Sequence, residues 1–280
     1  MPPARLPEQA LDDLARAWQR ERRRVLRDPG PEAVHRLRTA TRRLETAAAI
    51  ATDRLGVTAA VPWSDWHGLR AKLSRLRDLD VTMTTLRETE PRTATEAEAL
   101  RRCLRDLGQE RRRARRRAVA ALDRHRVGRV PRALKGSAAP PAPASERLTA
   151  ARAWWAEVAG PLAREPAWGL SLVEALRGKA GREAVHAIRI RVRELRYGLE
   201  WWDRLGQVAS APVVAWLRDA QDTLGRIRDY DRASKALSGP ELRRSRTVVG
   251  IRGAAEIAHW PSVASQGDLL GSSPFEGSPP

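Results

Sequence analysis

The 280-residue chain has a single cysteine, Cys103. No intramolecular disulfide framework can form, and a reducing compartment suits such a chain. No stretch of it approaches the roughly 20 apolar residues that a membrane-spanning helix needs. The first residues, MPPARLPEQALDDLARAW, lack the apolar core of a secretory leader, so a cytoplasmic location is the expectation. Aromatics other than tryptophan are scarce: one Phe and two Tyr stand against ten Trp. Several of these tryptophans (Trp18, Trp154, Trp155, Trp201, Trp202 and Trp216) fall at apolar helical positions and are assigned to the core rather than to stacking on a ligand. Beta-branched runs with strict alternation are missing, which argues against sheets. A Gly-rich phosphate loop, a zinc-spaced Cys/His set and a His-Glu-x-x-His helix are missing too, so those phosphate-loop and zinc chemistries find no support.

What the chain does have is positive charge. Its formal net charge is +18, carried by arginine. That balance predicts attraction to polyanions, whether nucleic acid, anionic membrane or inorganic phosphate chains, and says nothing about fold. Ala, Leu, Arg and Glu dominate segments of helical period. Helices are expected near 8–27, 31–53, 62–87, 94–127, 145–160, 168–177, 181–204 and 211–238, with a further one at 240–258 less clearly marked. The stretch KGSAAPPAPAS (135–145) has low complexity and no apolar period, and reads as a linker. It separates a first helical half (5–134) from a second (146–238). The residues from 239 to 280 read as a divergent, partly disordered tail, Gly-, Ser- and Pro-rich toward the end.

Sliding the chain along itself by 151 residues aligns EAVHRLRTATRRL (32–44) with EAVHAIRIRVREL (183–195). The same shift places LSRLRDLD (73–80) on LGRIRDYD (224–231). Two separate blocks at one offset, with no gap between them, mark an internal tandem repeat joined by the Pro-rich linker. About four helices fall in each half, the arithmetic of a bundle. The expected fold is therefore all-α, two four-helix bundles from a duplicated unit.

On a helix, His35, Arg38 and Arg42 share one stripe while Leu37, Thr41, Leu44 and Ala48 share another. The second copy repeats this with His186, Arg189 and Arg193 against Ile188, Val192, Leu195 and Leu199. Either stripe alone reads best as a solvated face. Its return at the same turn favours a surface shaped for an anion, although repeat symmetry would preserve packing salt bridges as well. In the Arg-Asp-x-Asp blocks, Asp78/Asp80 and Asp229/Asp231 are two residues apart and do not face one another on a helix. Orienting arginines, the stripe arginines included, is thus favoured over binding a metal. His35 and His186 have no nucleophile nearby in sequence. The segment RRRARRRAVAALDRHR (111–126) rings its helix with arginine and reads as a solvated, non-specific polyanion attractor.

The paired blocks VHRLRTATRRL and VHAIRIRVRELRYGLE, followed by LSRLRDLD and AQDTLGRIRDYD, resemble the CHAD domains, the conserved-histidine α-helical domains. The resemblance covers about residues 5–237. It implies two pseudo-symmetric four-helix bundles around a basic groove or pore, with inorganic polyphosphate as partner and polyphosphate granules as a location. Carried over residue by residue, it implies ligand contacts from His35, Arg38, Arg42, Arg43, Lys72 and Arg77, and from His186, Arg189, Arg191, Arg193, Arg196 and Arg228. Glu194 and Ile190 stand where basic residues are common, and the usual final amphipathic helix is not evident after 238. No Glu-x-Glu-x-Lys motif of the tunnel hydrolases occurs, so neither catalysis nor a cofactor or metal is implied. The expectation is a non-enzymatic polyphosphate binder. The competing readings are a nucleic-acid-binding protein and a metal-dependent phosphohydrolase using His35 or His186.

Overall fold

The computed structural model describes residues 6–57, 63–123, 143–163, 179–207, 211–264, 270 and 273–275. All regular structure among them is helical. In chain order the α-helices are α1 (Pro7–Arg27), α2 (Pro31–Leu55), α3 (Trp63–Arg87), α4 (Ala94–Asp123), α5 (Ala144–Ala163), α6 (Lys179–Arg204), α7 (Ala211–Ala236) and α8 (Arg243–Ala264), with a 3-10 turn at Pro240–Leu242 before the last. The helix expected at 168–177 and most of the linker expected at 135–145 lie outside the described residues.

Local sequence explains where the helices begin and end. Pro7 and Pro31 open α1 and α2, at first-turn positions where a missing amide costs little. Gly56 closes α2 at φ 65°, a left-handed conformation that glycine adopts without steric penalty. In the first half, α1 packs on α2, α2 on α3, α3 on α4, and α4 back on α1, which closes a four-helix bundle. In the second half, α5 packs on α6, α6 on α7 and α7 on α8. The halves meet through the helices that carry the recurring blocks: α2 packs on α6 and α3 on α7.

One apolar core runs through both halves. Tryptophans anchor it, as their helical positions suggested: Trp18 and Trp66 lie with ring centroids 5.1 Å apart, and Trp154 and Trp202 at 6.4 Å. Thr41, the one polar member of the apolar stripe on α2, is fully buried. It accepts a hydrogen bond from Trp18 Nε1 at 3.0 Å and donates to the carbonyl of Leu37 at 2.8 Å. Helix α6 approaches α5 closely at Gly198, where a β-carbon would stand 2.0 Å from the Trp154 ring.

The expected divergent tail is corrected in part. Helix α8 continues the fold on α7, and Leu270 and Phe275 are buried, with the Phe275 carbonyl accepting from Arg152 at 3.4 Å. The inward stripe of this region is Leu242, Ser245, Val249 and Gly253. Two of its four members are not apolar, so the amphipathic signal is faint. Gly253 is there because the Tyr230 Cβ would lie 3.1 Å from any β-carbon it carried. Ser245 donates to the buried carboxylate of Glu96 on α4 at 2.5 Å. That carboxylate also accepts from the Arg92 amide at 2.8 Å and from Arg244 at 3.3 Å. These bonds hold the Glu96 carboxyl below its usual range, the Ser245 bond most of all. Leu86, Ala99 and Leu100 meet Ala233, Leu237, Leu242 and Val249 around it in a second, smaller core that binds the two halves together.

The approach at Gly198 makes a direct prediction. Gly198→Ala should cost about 1–3 kcal/mol through overpacking against Trp154, read as a lower urea midpoint with an unchanged slope.

A basic cleft between the two halves

Four helices converge on a cleft of about 300 Å³ between the halves. Helix α2 contributes His35, Arg38 and Arg42; α3 contributes Arg77, Asp78 and Val81; α6 contributes Arg189, Arg193 and Tyr197. From α7 come Arg226, Arg228 and Arg232, with Gln221, Asp222, Gly225 and Asp229. The stripe arginines reach it because each apolar stripe is buried in its own half, which turns the basic stripes of α2 and α6 toward each other across their contact.

Six cleft arginines combine at least partial burial with the lack of an ion pair, unlike the exposed arginines of α4. Arg38, Arg42, Arg77, Arg189, Arg193 and Arg228 make no ion pair among the described residues. The Nε atoms of Arg38, Arg42 and Arg189, and Nδ1 of His35, are buried without a hydrogen-bond partner. An unsatisfied buried donor costs about 1–3 kcal/mol, and more when charged. Burial lowers five of the six, and neighbouring arginines add to it. Arg42 is pushed down to about 9 by burial and then by Arg193 and Arg38. Arg189 also falls to about 9, by burial and then Arg228 and Arg193, and Arg193 to about 10, by burial. Arg38 and Arg228 move in the same direction, again by burial first. All stay cationic at neutral pH. The arrangement is a set of partly desolvated cations that outnumber the carboxylates of Asp78, Asp222 and Asp229 in the same lining, and its natural complement is a multivalent anion.

Eight of the twelve expected contact residues gather at the cleft. Seven line it (His35, Arg38, Arg42, Arg77, Arg189, Arg193 and Arg228), and His186 lies within electrostatic reach of Arg189 and Arg228. The other four lie outside the cleft lining. Arg43 and Arg196 share Glu200, at 2.7 Å and 3.3 Å, and flank the ring of Tyr197 with centroid distances of 5.8 Å and 5.5 Å. Arg43 ties α2 to α6, whereas Arg196 and Glu200 stand one turn apart on α6 itself. Lys72 donates to the Gly68 carbonyl at 3.3 Å, and exposed Arg191 pairs with Glu194 at 3.3 Å.

The aspartates do orient arginines, but not those of the stripes. Asp78 accepts from Arg232 at 2.5 Å and buried Asp80 from Arg111 at 2.5 Å. Arg111 is therefore a packing residue on α4, whereas Arg112, Arg113, Arg115, Arg116 and Arg117 are exposed as their ringed spacing suggests. Arg232 is a cleft residue that the repeat comparison passes over, because its counterpart at the 151-residue offset is Val81. Both line the cleft, so that position belongs to the site in each half although only one copy is charged. Tyr197, likewise, has no aromatic counterpart in the first half. Cys103 is half-buried and its thiol, 3.4 Å from the Ala236 carbonyl, is pushed up by burial, which leaves it a poor nucleophile.

The chain belongs to the CHAD domain family, whose model matches residues 9–238. Its fold is similar to the crystal structure of the CHAD domain from the plant Ricinus communis, with a TM-score of 0.60 and 21% identity, covering 95% of this chain and 91% of that one. It is also similar to PptA from Streptomyces chartreusis, with a TM-score of 0.58 and 19% identity over 94% of this chain and 98% of that one. No curated protein matches the sequence significantly. No described helix is long and apolar enough to cross a membrane.

The histidines set a pH dependence. Burial and then Arg77 and Arg38 hold His35 below the usual 6.5, and burial with Arg189 and Arg228 does the same to His186. An anion in the cleft reverses that depression, so binding takes up protons in the window between the free and bound values. Affinity for a multivalent phosphate anion should rise several-fold as pH falls from about 7.5 to 5.5. Asp229, whose carboxyl is raised by burial, adds to the trend at its acid end by losing charge. Calorimetry on His35→Gln/His186→Gln should show a flatter profile.

Proposed function

We propose that this CHAD-domain protein binds inorganic polyphosphate in the cleft between its halves and holds it without turnover. One observation carries the reading: six arginines from four helices face a common space and make no ion pair among the described residues. Polyphosphate offers about one negative charge per unit and oxygens on every side, so guanidinium groups converging from several helices can each bind it in fork geometry. Successive contacts along one flexible chain add avidity without any new kind of interaction.

Nucleic acid is the competing partner for a chain of net charge +18. The described residues favour it less. Their exposed large apolar side chains are Ile190 and Ile251, neither an aromatic platform for bases, and Tyr197 is buried between two arginines. A cleft of about 300 Å³ admits a single phosphate chain and not a duplex. Retention without hydrolysis is part of the proposal, drawn from a described lining dominated by arginine. Among the described residues no three His, Cys, Asp or Glu side chains are grouped to hold a metal ion. The reading places the protein in the cytoplasm, with polyphosphate granules.

The test compares two charge reversals of equal size at near-physiological salt. Arg38→Glu/Arg189→Glu should lower affinity for long-chain polyphosphate by about a hundredfold or more with helical content kept. Arg112→Glu/Arg116→Glu, on the exposed face of α4, should lower it by no more than about threefold. Equal losses would mean that bulk charge alone drives binding.

A further inference from the structure

Arg42 and Arg193 line two cavities, not one. Beside the basic cleft, a second space of about 300 Å³ opens between α2, α3, α5 and α6, and these two arginines stand where the spaces meet. The second space is mixed in charge, with carboxylates set among its arginines. Its carboxylates are Glu45, Asp53, Glu157 and Glu194. Its two further arginines are already engaged, Arg54 with Glu157 and Arg70 with both oxygens of Glu45 at 2.9 Å. Asp53 is exposed and makes no ion pair among the described residues, and Glu194 faces only the solvated Arg191. Much of the remaining wall is apolar, including Ile50, Trp154 and Ile190.

A polyanion lying in the cleft thus meets unpaired guanidinium groups as far as Arg42 and Arg193. One step further it would meet carboxylates along a low-dielectric wall, where like charges repel most strongly. Entry there brings no unengaged cation beyond Arg42 and Arg193, because Arg54 and Arg70 are held by Glu157 and Glu45. The end of a linear phosphate chain differs from its interior, because a terminal phosphoryl group carries a second negative charge and more free oxygens. Two facing, unpartnered arginines match that extra charge.

We propose that Arg42 and Arg193 seat the terminal phosphoryl group of a linear polyphosphate, and that Asp53 and Glu194 bar the chain from running on into the second cavity. The assignment rests on the polyphosphate reading above and makes the site end-recognising rather than threaded.

Calorimetry separates the two levels of the claim. The titrants are a long linear polyphosphate and the same polymer with both ends joined through phosphoramidate bonds to a neutral amine. Capping should weaken binding to the wild-type protein by about tenfold or more. Linear tripolyphosphate should compete with the uncapped polymer, whereas cyclic trimetaphosphate, which has no ends, should not. In Asp53→Arg/Glu194→Arg the barrier becomes basic, and the capped polymer should bind to within about threefold of the uncapped one. Equal affinities of capped and uncapped polymer for the wild-type protein would overturn the end seat and leave polyphosphate binding intact. If neither polymer binds, the underlying reading fails with it.

Discussion

The structure depends on a repulsion. Arginines from α2, α3, α6 and α7 are brought into one cleft where burial and neighbouring arginines lower their preference for the charged form, and Asp78 and Asp229 offset this only in part. Other arginines are neutralised, in the cleft as well as outside it: Arg232 by Asp78, Arg43 and Arg196 by Glu200, Arg111 by Asp80. A fold that can place carboxylates so regularly beside arginines, and yet leaves six facing one another, holds stability back in favour of an anion. Desolvation then works for the ligand, because a guanidinium with little water left to lose binds phosphate oxygens at low cost.

The strain is tolerated because the scaffold around the cleft is tied from several directions. Glu200 ties α6 to α2 through Arg43, which flanks Tyr197 together with Arg196, the second partner of Glu200 on α6. The tryptophan-anchored core runs continuously beneath both stripes. At the far end, buried Glu96 gathers the Arg92 amide, Ser245 and Arg244 into one carboxylate and locks α4 to α8. Together these contacts oppose the separation of the two halves that the cleft charges would otherwise favour.

Much of this was legible in the sequence, and what was not had physical causes. Helical period, the stripes on α2 and α6 and the recurrence at a 151-residue offset brought out the all-helical fold and most cleft arginines. Recurrence reports only what two copies share, so it missed Arg232, whose counterpart is Val81, and Tyr197. It also could not tell Arg42 from its neighbour Arg43, since one helical step decides whether a side chain meets the cleft or Glu200. Helix α8 was only faintly marked, at 240–258, because Ser245 and Gly253 occupy half of its inward stripe. Sequence spacing likewise gave no view of which helix faces Asp78 and Asp80, and so of which arginines they hold.

The central claim, that the cleft arginines are held at a cost which a polyphosphate relieves, is tested most directly by thermal melting of Arg42→Met/Arg189→Met beside the wild-type protein, with and without long-chain polyphosphate. Without the polyanion the variant should melt about 2–4 °C higher, through loss of two desolvated charges. With it, the wild-type protein should gain strongly and the variant far less. A variant that melts lower than wild type alone, or that gains as much from polyphosphate, would contradict the claim.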